Sequence, residues 1–446
     1  MRKYPKYKDS GVEWLFDVPE NWDIWKMKFL SRIETGNKNT EDAEENGEYP
    51  FYVRSDNVER ISTYSFDGEA ILTAGDGVGV AKVFHYANCK MAIHQRVYKI
   101  SNFKKVIGPF LYYYIRDNFE KEVIKLSAKT TVDSLRMPML GNFPIAYPSK
   151  EEQHSIVRFL DHKTRQMDSF LGKRQKQIEL LKEQKAGIIN KAVTKGIDPT
   201  AKMKPSGIEW IGDIPEDWII IKLKYIIKTM ASGVSVNSTD EPAEANEYGI
   251  LKTSCVYTGE FNPNQNKKID ENEYKRMACP VKGNSIIISR MNTPELVGAN
   301  GFVDKDYEDL FLPDRLWQTV FFKKAEIVPK WLSYFLSSNR FRKLLSSLAT
   351  GTSASMKNIT QEDVLGSFIC LPSIDEQNAM IAFFEEESSA IDILISKYQK
   401  QIDLMQEYRT SIISQAVTGK IDVREWEPRK KKYKTEELES EMVAEK

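Results

Sequence analysis

The chain has 446 residues, roughly two to four times the usual domain length of about 100–200 residues, so more than one hydrophobic core is expected. Hydrophobic residues make up 41% and charged residues 29% of the chain, which excludes a wholly disordered protein. Because 64 Lys and Arg balance 64 Asp and Glu, no uniform positive charge indicates a nucleic-acid partner, and any basic surface has to be local.

The cysteines and the apolar runs exclude two further classes of protein. No C-x-x-C pair is formed by the widely spaced Cys89, Cys255, Cys279 and Cys370, so neither a zinc site nor a dense disulfide framework is indicated. The beginning of the chain, MRKYPKYKDS, is polar, and no run approaches the about 18–20 apolar residues of a membrane span. We therefore expect a cytoplasmic chain without membrane association.

The N-terminal segment, predicted over 1–22, begins a repeat. SGVEWLFDVPENWDIWKMK (10–28) recurs as SGIEWIGDIPEDWIIIKLK (206–224), with 11 of 19 positions identical. Such a long-period repeat predicts two copies of one structural frame.

A first module is predicted over 23–147, with short strands early and an aromatic-rich helix at 109–126. GDGVG (75–79) is interpreted as a tight turn, because it lacks the following helix and the acidic residue of a dinucleotide site. In HQRVY (94–98), Gln95 is suited to adenine and Arg96 to guanine or phosphate. A salt-bridged surface strand is the alternative for this segment.

A helical region follows at 148–198 and is repeated at 372–424. KRQKQIELLKEQKAGIINKAVTKGID (173–198) recurs as KYQKQIDLMQEYRTSIISQAVTGKID (397–422), with 14 of 26 positions identical. The lack of proline predicts one long helix from Glu151 to about Lys195 and another from Asp375 to about Gly419, each either continuous or broken near its first third. Both helices carry apolar residues at alternating spacings of four and three, which predicts a helix–helix seam: Met167, Leu171, Ile178, Leu181, Ile188, Ile391, Ile395, Tyr398, Ile402, Met405 and Ile412.

We predict that the two helices pack on each other in antiparallel fashion around an internal pseudo-two-fold axis; packing of each helix on its own module is the alternative. A repeat linker (199–218) and a second module (219–371), with a helix at 329–348, lie between the helices. The charged end, 425–446, is predicted to be disordered. Between the repeated blocks the two halves lose similarity, so similar frames hold different modules.

With these repeated blocks, the chain resembles a known family, the specificity subunits of type I restriction-modification enzymes. The resemblance extends over roughly 4–424 and rests on the order of the repeated blocks and on several phrases. These are P-S-x-x-E-Q before each helix (Pro148, Ser149, Glu152, Gln153 and Pro372, Ser373, Glu376, Gln377), A-V-T-K-G-I-D (192–198), A-V-T-G-K-I-D (416–422), GDGVGVAKVF (75–84), HQRVY and LPDRLWQTVF (312–321).

The resemblance implies a mixed α+β fold, with two globular α/β target recognition domains separated by two long antiparallel spacer helices. Each domain would read one half of a bipartite target in double-stranded DNA, and the helices would set the gap. The family docks two adenine methyltransferase subunits, which use S-adenosylmethionine, and through them ATP- and magnesium-dependent restriction subunits. The segment 1–22 is then expected beside the end of the second helix.

No catalytic centre is predicted in this chain. It has neither a G-x-x-x-x-G-K-[ST] loop nor a P-P dipeptide for a methyltransferase loop, and His85, His94, His154 and His162 lack metal-ligand spacing. We therefore predict no metal, no bound cofactor and no catalytic residue. The rival hypothesis is a protein–protein scaffold that never touches DNA, and a weaker one is a stand-alone DNA enzyme.

Phosphates require Lys or Arg, while base edges require amide, hydroxyl or guanidinium groups. Polar loops predicted at 127–134 and 350–358 add small side chains that can approach a duplex. The predicted DNA contacts are Lys38, Arg54, Lys82, Gln95, Arg96, Lys129 and Thr130 in the first module, and Arg290, Asn292, Arg315, Gln318, Thr352, Ser353 and Lys357 in the second.

Overall fold

In the computed structural model, residues 2–77, 82–127, 134–353 and 356–428 are described. The chain divides into two units, unit 1 from 1–175 with 399–446, and unit 2 from 176–398. Each unit combines sheets with helices, so the mixed α/β class predicted from the sequence is confirmed. The predicted domain boundaries at 23–147 and 219–371 stay predictions.

The longest helices are the two predicted from the proline-free blocks. They run unbroken, 46 residues from Lys150 and 44 residues from Ile374. The predicted helix over 329–348 is wrong as a single element, because Ser338 is extended and its side chain accepts a hydrogen bond from the Phe341 amide. The helices are α1 (Met27–Leu30), α2 (Gly108–Ser127), α3 (Met137–Asn142), α4 (Lys150–Lys195), α5 (Pro329–Ser337), α6 (Asn339–Leu348), α7 (Gln361–Gly366) and α8 (Ile374–Val417).

Unit 1 contains a six-stranded sheet in the order β4-β9-β7-β8-β5-β6, and β3 pairs separately with β10. Both ends of β8 lie near Tyr52: its last residue pairs with Tyr52, and the ring of His85, near its start, lies 5.2 Å from the Tyr52 ring. Strand β8 is therefore strongly curled. The strands are β1 (Tyr7–Asp9), β2 (Asp17–Pro19), β3 (Asp23–Lys26), β4 (Arg32–Thr35), β5 (Tyr49–Tyr52), β6 (Val58–Ile61), β7 (Phe66–Ala74), β8 (Phe84–Ile93), β9 (Val97–Ser101) and β10 (Pro144–Tyr147).

The core of unit 1 lies between this sheet, α2 and the start of α4. Helix α2 buries Phe110, Tyr114 and Phe119 around much of its circumference, and Trp22 is fully buried against Phe110. Each such side chain contributes about 1.5–3 kcal/mol when it leaves water. The aromatic helix therefore anchors the sheet.

Unit 2 contains two four-stranded sheets, β14-β22-β18-β20 and β16-β15-β21-β17, and a three-stranded sheet, β19-β24-β23. The predicted loop at 350–358 is wrong, because β23 and β24 occupy much of it. The strands are β11 (Met203–Pro205), β12 (Asp213–Pro215), β13 (Ile219–Lys222), β14 (Ile227–Ser232), β15 (Gly249–Leu251), β16 (Asn266–Lys268), β17 (Pro280–Val281), β18 (Ser285–Ser289), β19 (Met291–Asn292), β20 (Asn300–Val303), β21 (Tyr307–Phe311), β22 (Leu316–Phe321), β23 (Thr350–Ser353), β24 (Met356–Asn358) and β25 (Phe368–Leu371).

The core of unit 2 is built from the same kinds of residues as that of unit 1. Trp218 is buried like Trp22, and α5 and α6 contribute Trp331, Phe335 and Phe341. Strand β13 pairs with β25, as β3 pairs with β10 in unit 1. The repeated phrase around each tryptophan thus serves the same packing role in both units.

The repeated P-S-x-x-E-Q phrase performs one local task in each unit. The Gln153 amide oxygen accepts a hydrogen bond from the Ile107 amide (2.9 Å), and that of Gln377 accepts one from the Val328 amide (2.7 Å). Both glutamines also donate to the proline carbonyl of their own phrase. The phrase therefore fastens the first turn of each long helix to the loop before the aromatic helix.

The glutamates of the same phrase hold the repeated tryptophans. Trp22 Nε1 donates to Glu152 (2.9 Å), and Trp218 Nε1 donates to Glu376 (2.8 Å). In unit 1, the Tyr4 hydroxyl adds a second hydrogen bond to Glu152 (2.7 Å). Burial raises the pKa of Glu376.

Within each unit, taken by itself, α4 and α8 contact each other. Arg409 pairs with Asp168 in unit 1, and Lys185 pairs with Asp392 (2.8 Å) in unit 2. The predicted seam residues are all withdrawn from solvent. Met167, Ile178, Ile391, Ile402 and Ile412 are buried, and Leu171, Leu181, Ile188, Ile395, Tyr398 and Met405 are half-buried. The pseudo-two-fold arrangement of the whole chain stays a prediction.

In unit 1 the N-terminal segment packs against the residues that follow α8. Gly419 has a φ of 72°, and a Cβ there would overlap Cδ of Pro19, so glycine is required for this approach. The Lys420 ammonium donates to the Leu15 carbonyl (3.0 Å). The predicted disorder is wrong for the first residues of the tail, since Trp426 lies 5.1 Å from the Phe159 ring. The basic run from 429 onward lies outside the described residues.

None of the helices described is long and apolar enough to cross a membrane. Among the same residues, no group of three or more His, Cys, Asp or Glu side chains could hold a metal ion.

Candidate nucleic-acid interface

Two of the predicted arginines in unit 1 converge on one carboxylate. Arg54 Nη1 lies 2.9 Å from Asp76 Oδ1, and Arg96 Nη1 lies 2.8 Å from Asp76 Oδ2. Burial raises the pKa of Asp76, but the two arginine hydrogen bonds outweigh it, so the pKa stays below its ordinary value. A charged carboxylate thus orients two guanidinium groups that remain 42% and 58% exposed.

The turn between β8 and β9 is held by a buried histidine. The Arg96 amide donates to His94 Nδ1 (3.0 Å), and the other ring nitrogen lies 3.2 Å from the Thr40 hydroxyl. Burial and the neighbouring Arg54 and Arg96 lower the pKa of His94. An unprotonated Nδ1 is required to accept from the amide, so the ring is neutral and Nε2 donates to Thr40.

This turn brings two further predicted residues to the same place. The Gln95 amide donates to the Lys38 carbonyl (2.8 Å), and the Gln95 side chain is exposed. Lys38, Arg54, Gln95 and Arg96 therefore surround one turn at the edge of the curled sheet. The ion pair of Arg96 with Asp76 agrees with the salt-bridged alternative for HQRVY, while contact of Gln95 and Arg96 with DNA stays a prediction.

Three other predicted contacts of the first module are not placed in this cluster. Lys82 is exposed on the turn before β8. Lys129 and Thr130 lie outside the described residues, as do residues 78–81 of the glycine-rich turn.

In unit 2, Arg315 occupies the position that Arg96 has in unit 1. The Gly75 amide donates to the Arg96 carbonyl (2.8 Å), and the Arg290 amide donates to the Arg315 carbonyl (3.0 Å). Arg96 and Arg315 are both exposed and both lie directly before an inner strand of their sheet, β9 or β22. By the same correspondence, Arg290 of unit 2 occupies the position of Gly75 in unit 1.

Arg290 is half-buried, with its guanidinium 5.8 Å from the Trp317 ring centroid. Its Nε is buried and has no hydrogen-bond partner among the described residues. A half-buried cation stacked on an aromatic ring is stiff, so its exposed end is presented in a defined direction.

Asn292 belongs to a short chain of polar groups. Its amide donates to the Tyr257 hydroxyl (2.7 Å), which lies 2.8 Å from the Thr253 hydroxyl. Lys357 pairs with Asn292 across β19 and β24, so these residues share one sheet surface. Thr352 and Ser353 lie in β23 of the same sheet, but their side chains are outside the described part of the chain.

The prediction for Gln318 is corrected by the structure. Its side chain is 5% exposed, its oxygen accepts from the Lys282 amide (2.9 Å) and its nitrogen donates to the Pro280 carbonyl (3.3 Å). A buried amide that already satisfies the main chain has neither access to a duplex nor a free donor. Gln318 therefore joins β22 to the neighbouring sheet.

Two residues of these clusters were missed by the sequence analysis. Asp76 was treated only as part of a glycine-rich turn, although an acidic residue near exposed arginines indicates an orienting partner. Tyr257, which is 36% exposed beside Asn292, lies in a segment without any motif. Only the folding of distant segments brings it there.

The two units carry different polar clusters at corresponding positions of one repeated frame. Residues 19–180 match the family model of the type I restriction modification DNA specificity domain. The resemblance stated from the sequence is confirmed: the chain is similar to the specificity subunits of type I restriction-modification enzymes.

Several known proteins are similar to this chain over most of its length. The MjaVIII specificity subunit of Methanocaldococcus jannaschii is 27% identical over 431 residues, covering 91% of this chain and 94% of that protein. The EcoBI specificity subunit of Escherichia coli is 24% identical, covering 74% and 69%. A solved chain from a study of complex assembly and conformational transition of the type I R-M system shares the fold, with a TM-score of 0.61, 13% identity and coverage of 91% and 99%.

Proposed function

We propose that this chain is the non-catalytic DNA-specificity subunit of a type I restriction-modification complex. Each module reads one half of a bipartite target in double-stranded DNA. The observation that carries this proposal is the pairing of one repeated frame with two unlike polar clusters. A protein that reads two different half-sites needs the same scaffold twice and different contacts on each copy.

The chemistry of the clusters suits contacts to a duplex. Exposed arginines such as Arg54, Arg96 and Arg315 can bind phosphates or the acceptor edge of guanine, and Gln95 and Asn292 suit adenine. Asp76 orients two of the arginines before DNA arrives, which reduces the conformational entropy lost on binding. The neutral overall charge is compatible with DNA binding, because the basic groups need only be local.

The helices α4 and α8 are proposed to set the distance between the half-sites. A helix rises about 1.5 Å per residue, so some 40 residues span about 60 Å, against the 34–36 Å between half-sites one DNA turn apart. The family, rather than the contacts within each unit, supports this ruler. A change in helix length should then change the gap in the target and leave both half-sites intact.

Catalysis is proposed to belong to partner subunits in the cytoplasm. Two adenine methyltransferase subunits bring S-adenosylmethionine, and restriction subunits bring ATP and magnesium chemistry. This chain is proposed to bind none of these cofactors, to have no catalytic residue and to make no membrane contact. Its role is to position the methyltransferases on one sequence.

Mapping methylated adenines in host DNA tests the proposal. Replacing residues 23–147 by the corresponding module of a relative should change one half of the methylated motif and keep the other. A change in both halves would contradict the assignment of one half-site to each module. In gel-shift competition, the complex with methyltransferase should prefer duplexes that carry one motif, and equal binding to all sequences would favour the scaffold hypothesis.

A further inference from the structure

Each unit exposes an aromatic side chain beside a lysine at the same position of the repeat. Met27-Lys28-Phe29-Leu30 corresponds to Leu223-Lys224-Tyr225-Ile226, and both segments show the burial order buried, exposed, exposed, buried. Phe29 is 55% exposed and Tyr225 is 62% exposed. Single exposed apolar side chains are common on surfaces, but the same one twice in a diverged repeat calls for a cause.

The first patch consists of Trp25, Lys28, Phe29, Lys104 and Lys105. The Trp25 and Phe29 rings lie 6.2 Å apart, edge to face, and Lys105 Nζ lies 4.0 Å from the Trp25 ring centroid. Lys28, Phe29 and Lys104 line a groove of about 780 Å³ that continues to the exposed Met137.

The second patch consists of Lys224, Tyr225, Phe322, Lys323 and Lys324. Lys224 Nζ lies 5.2 Å from the Tyr225 ring centroid, as Lys28 Nζ lies 5.3 Å from that of Phe29. Phe322 is 42% exposed, and the two following lysines are exposed. Each patch thus combines aromatic rings with three lysines.

The two patches are held by the same hydrogen bonds of the frame. The Met27 amide donates to Phe143 (3.0 Å), and the Leu223 amide to Ser367 (3.1 Å). The Lys104 amide donates to Leu30 (2.7 Å), and the Phe322 amide to Ile226 (3.0 Å). These bonds fix the loop with the paired lysines beside the exposed aromatic residue in both units.

The charges of the patches favour an acidic protein partner. Within the part of the chain that the structure describes, the lysines of both patches form no ion pair. Exposed aromatic rings are enriched at protein interfaces, and the unpaired lysines around them would be complementary to carboxylates on the partner. A duplex would satisfy the lysines but offers no base face to the rings, because its bases are stacked.

We infer that the two patches are equivalent docking sites for two copies of one protein, whose surface offers an apolar pocket edged by carboxylates. This inference rests on the proposed function, under which that protein is the methyltransferase subunit. Because the patches belong to the frame and not to the diverged clusters, one partner surface fits both.

Native mass spectrometry of the full chain with the methyltransferase subunit of the same system tests the inference. The variant Lys28→Glu/Phe29→Ser alters the first patch and Lys224→Glu/Tyr225→Ser the second. The matched control is Lys8→Glu/Phe16→Ser, a lysine and a 69% exposed phenylalanine outside both patches. Thermal unfolding checks that each variant is folded. We expect all of them to fold, because the substituted side chains are exposed.

We expect two methyltransferases on the wild-type and control chains, one on each single-patch variant, and none on the combined variant at submicromolar concentration. Loss of a central aromatic contact should weaken each site about 30-fold or more. Two methyltransferases on every variant would overturn the inference. It would also be overturned if the patch variants assembled normally but bound non-specific duplex more weakly, or if they lost only the association of this chain with itself. The proposed function has a separate readout, the methylated motif, and a complex that assembles through the patches yet methylates no bipartite motif would contradict that function alone.

Discussion

Replacing Asp76 by asparagine separates the stability of the first cluster from its recognition of DNA. The substitution removes two ion pairs with partly exposed arginines, each contributing about 0.2–1 kcal/mol. We therefore expect the free energy of unfolding to fall by only about 1 kcal/mol at neutral pH. Because the folded pKa of Asp76 lies below the unfolded value, this contribution is complete above about pH 4 and disappears as the pH falls through the folded pKa.

The expected effect on DNA binding is larger and has two opposite parts. Arg54 and Arg96 lose their orienting carboxylate, so preference for the correct half-site should fall roughly tenfold, near the lower end of the about 1–3 kcal/mol of one base contact. The site also gains one net positive charge. If one more phosphate is neutralised, the slope of log K against log salt concentration becomes steeper by about 0.9.

Gel-shift titrations of the methyltransferase complex on the target and on a scrambled duplex measure the target preference. Repeating them between about 50 and 200 mM salt measures the salt slope. Asp306→Asn is the matched control, since Asp306 pairs with Lys282 (3.0 Å), which belongs to neither cluster. An Asp76→Asn complex that keeps both its salt slope and its target preference would refute the orienting role.

Four further substitutions test the packing. Burial raises the pKa of Asp117 to about 6, so the cost of its charged form grows as the pH rises from about 4 and is complete above about 6. Asp117→Asn should therefore raise the free energy of unfolding at pH 7.5 by about 1 kcal/mol and leave it unchanged below about pH 4. Gly419→Ala should lower the free energy of unfolding by about 1–3 kcal/mol in chemical denaturation, because residue 419 has a positive φ and its Cβ would meet Pro19. Gly172→Ala, at an exposed position within α4, should instead raise the free energy of unfolding by about 0.5–1 kcal/mol. Gln318→Ala should lose about 1–3 kcal/mol of stability by leaving main-chain groups unpaired, yet keep the methylated motif unchanged.

The long helices were predictable because their signals are local. A stretch without proline, rich in good helix formers, specifies α4 and α8 whatever packs against them. The repeated phrases were equally readable, since Trp22 and Trp218 perform one task twice.

The errors arose where pairing between distant segments decides the structure. Residues 350–358 resemble a polar loop, but β24 pairs with β19 some 65 residues earlier, and no local pattern reports this. Gln318 stands in a phrase with the exposed Arg315, yet it lies in an inner strand whose residues 316–319 are all buried, so its amide is enclosed. The role of Asp76 follows from the approach of Arg54 and Arg96, which are separated from it by about 20 residues on either side.

The contact between Leu15 and Lys420 has a consequence for the order in which the chain acquires its structure during synthesis. Unit 2 is one uninterrupted stretch, whereas unit 1 needs residues from both the early and the late part of the chain. As the ribosome proceeds from the N-terminus, unit 2 can therefore close first, while residues 1–175 wait with part of their apolar surface uncovered. A nascent chain arrested before residue 399 should thus bind chaperones through its first module and release them only when the last helical turns emerge.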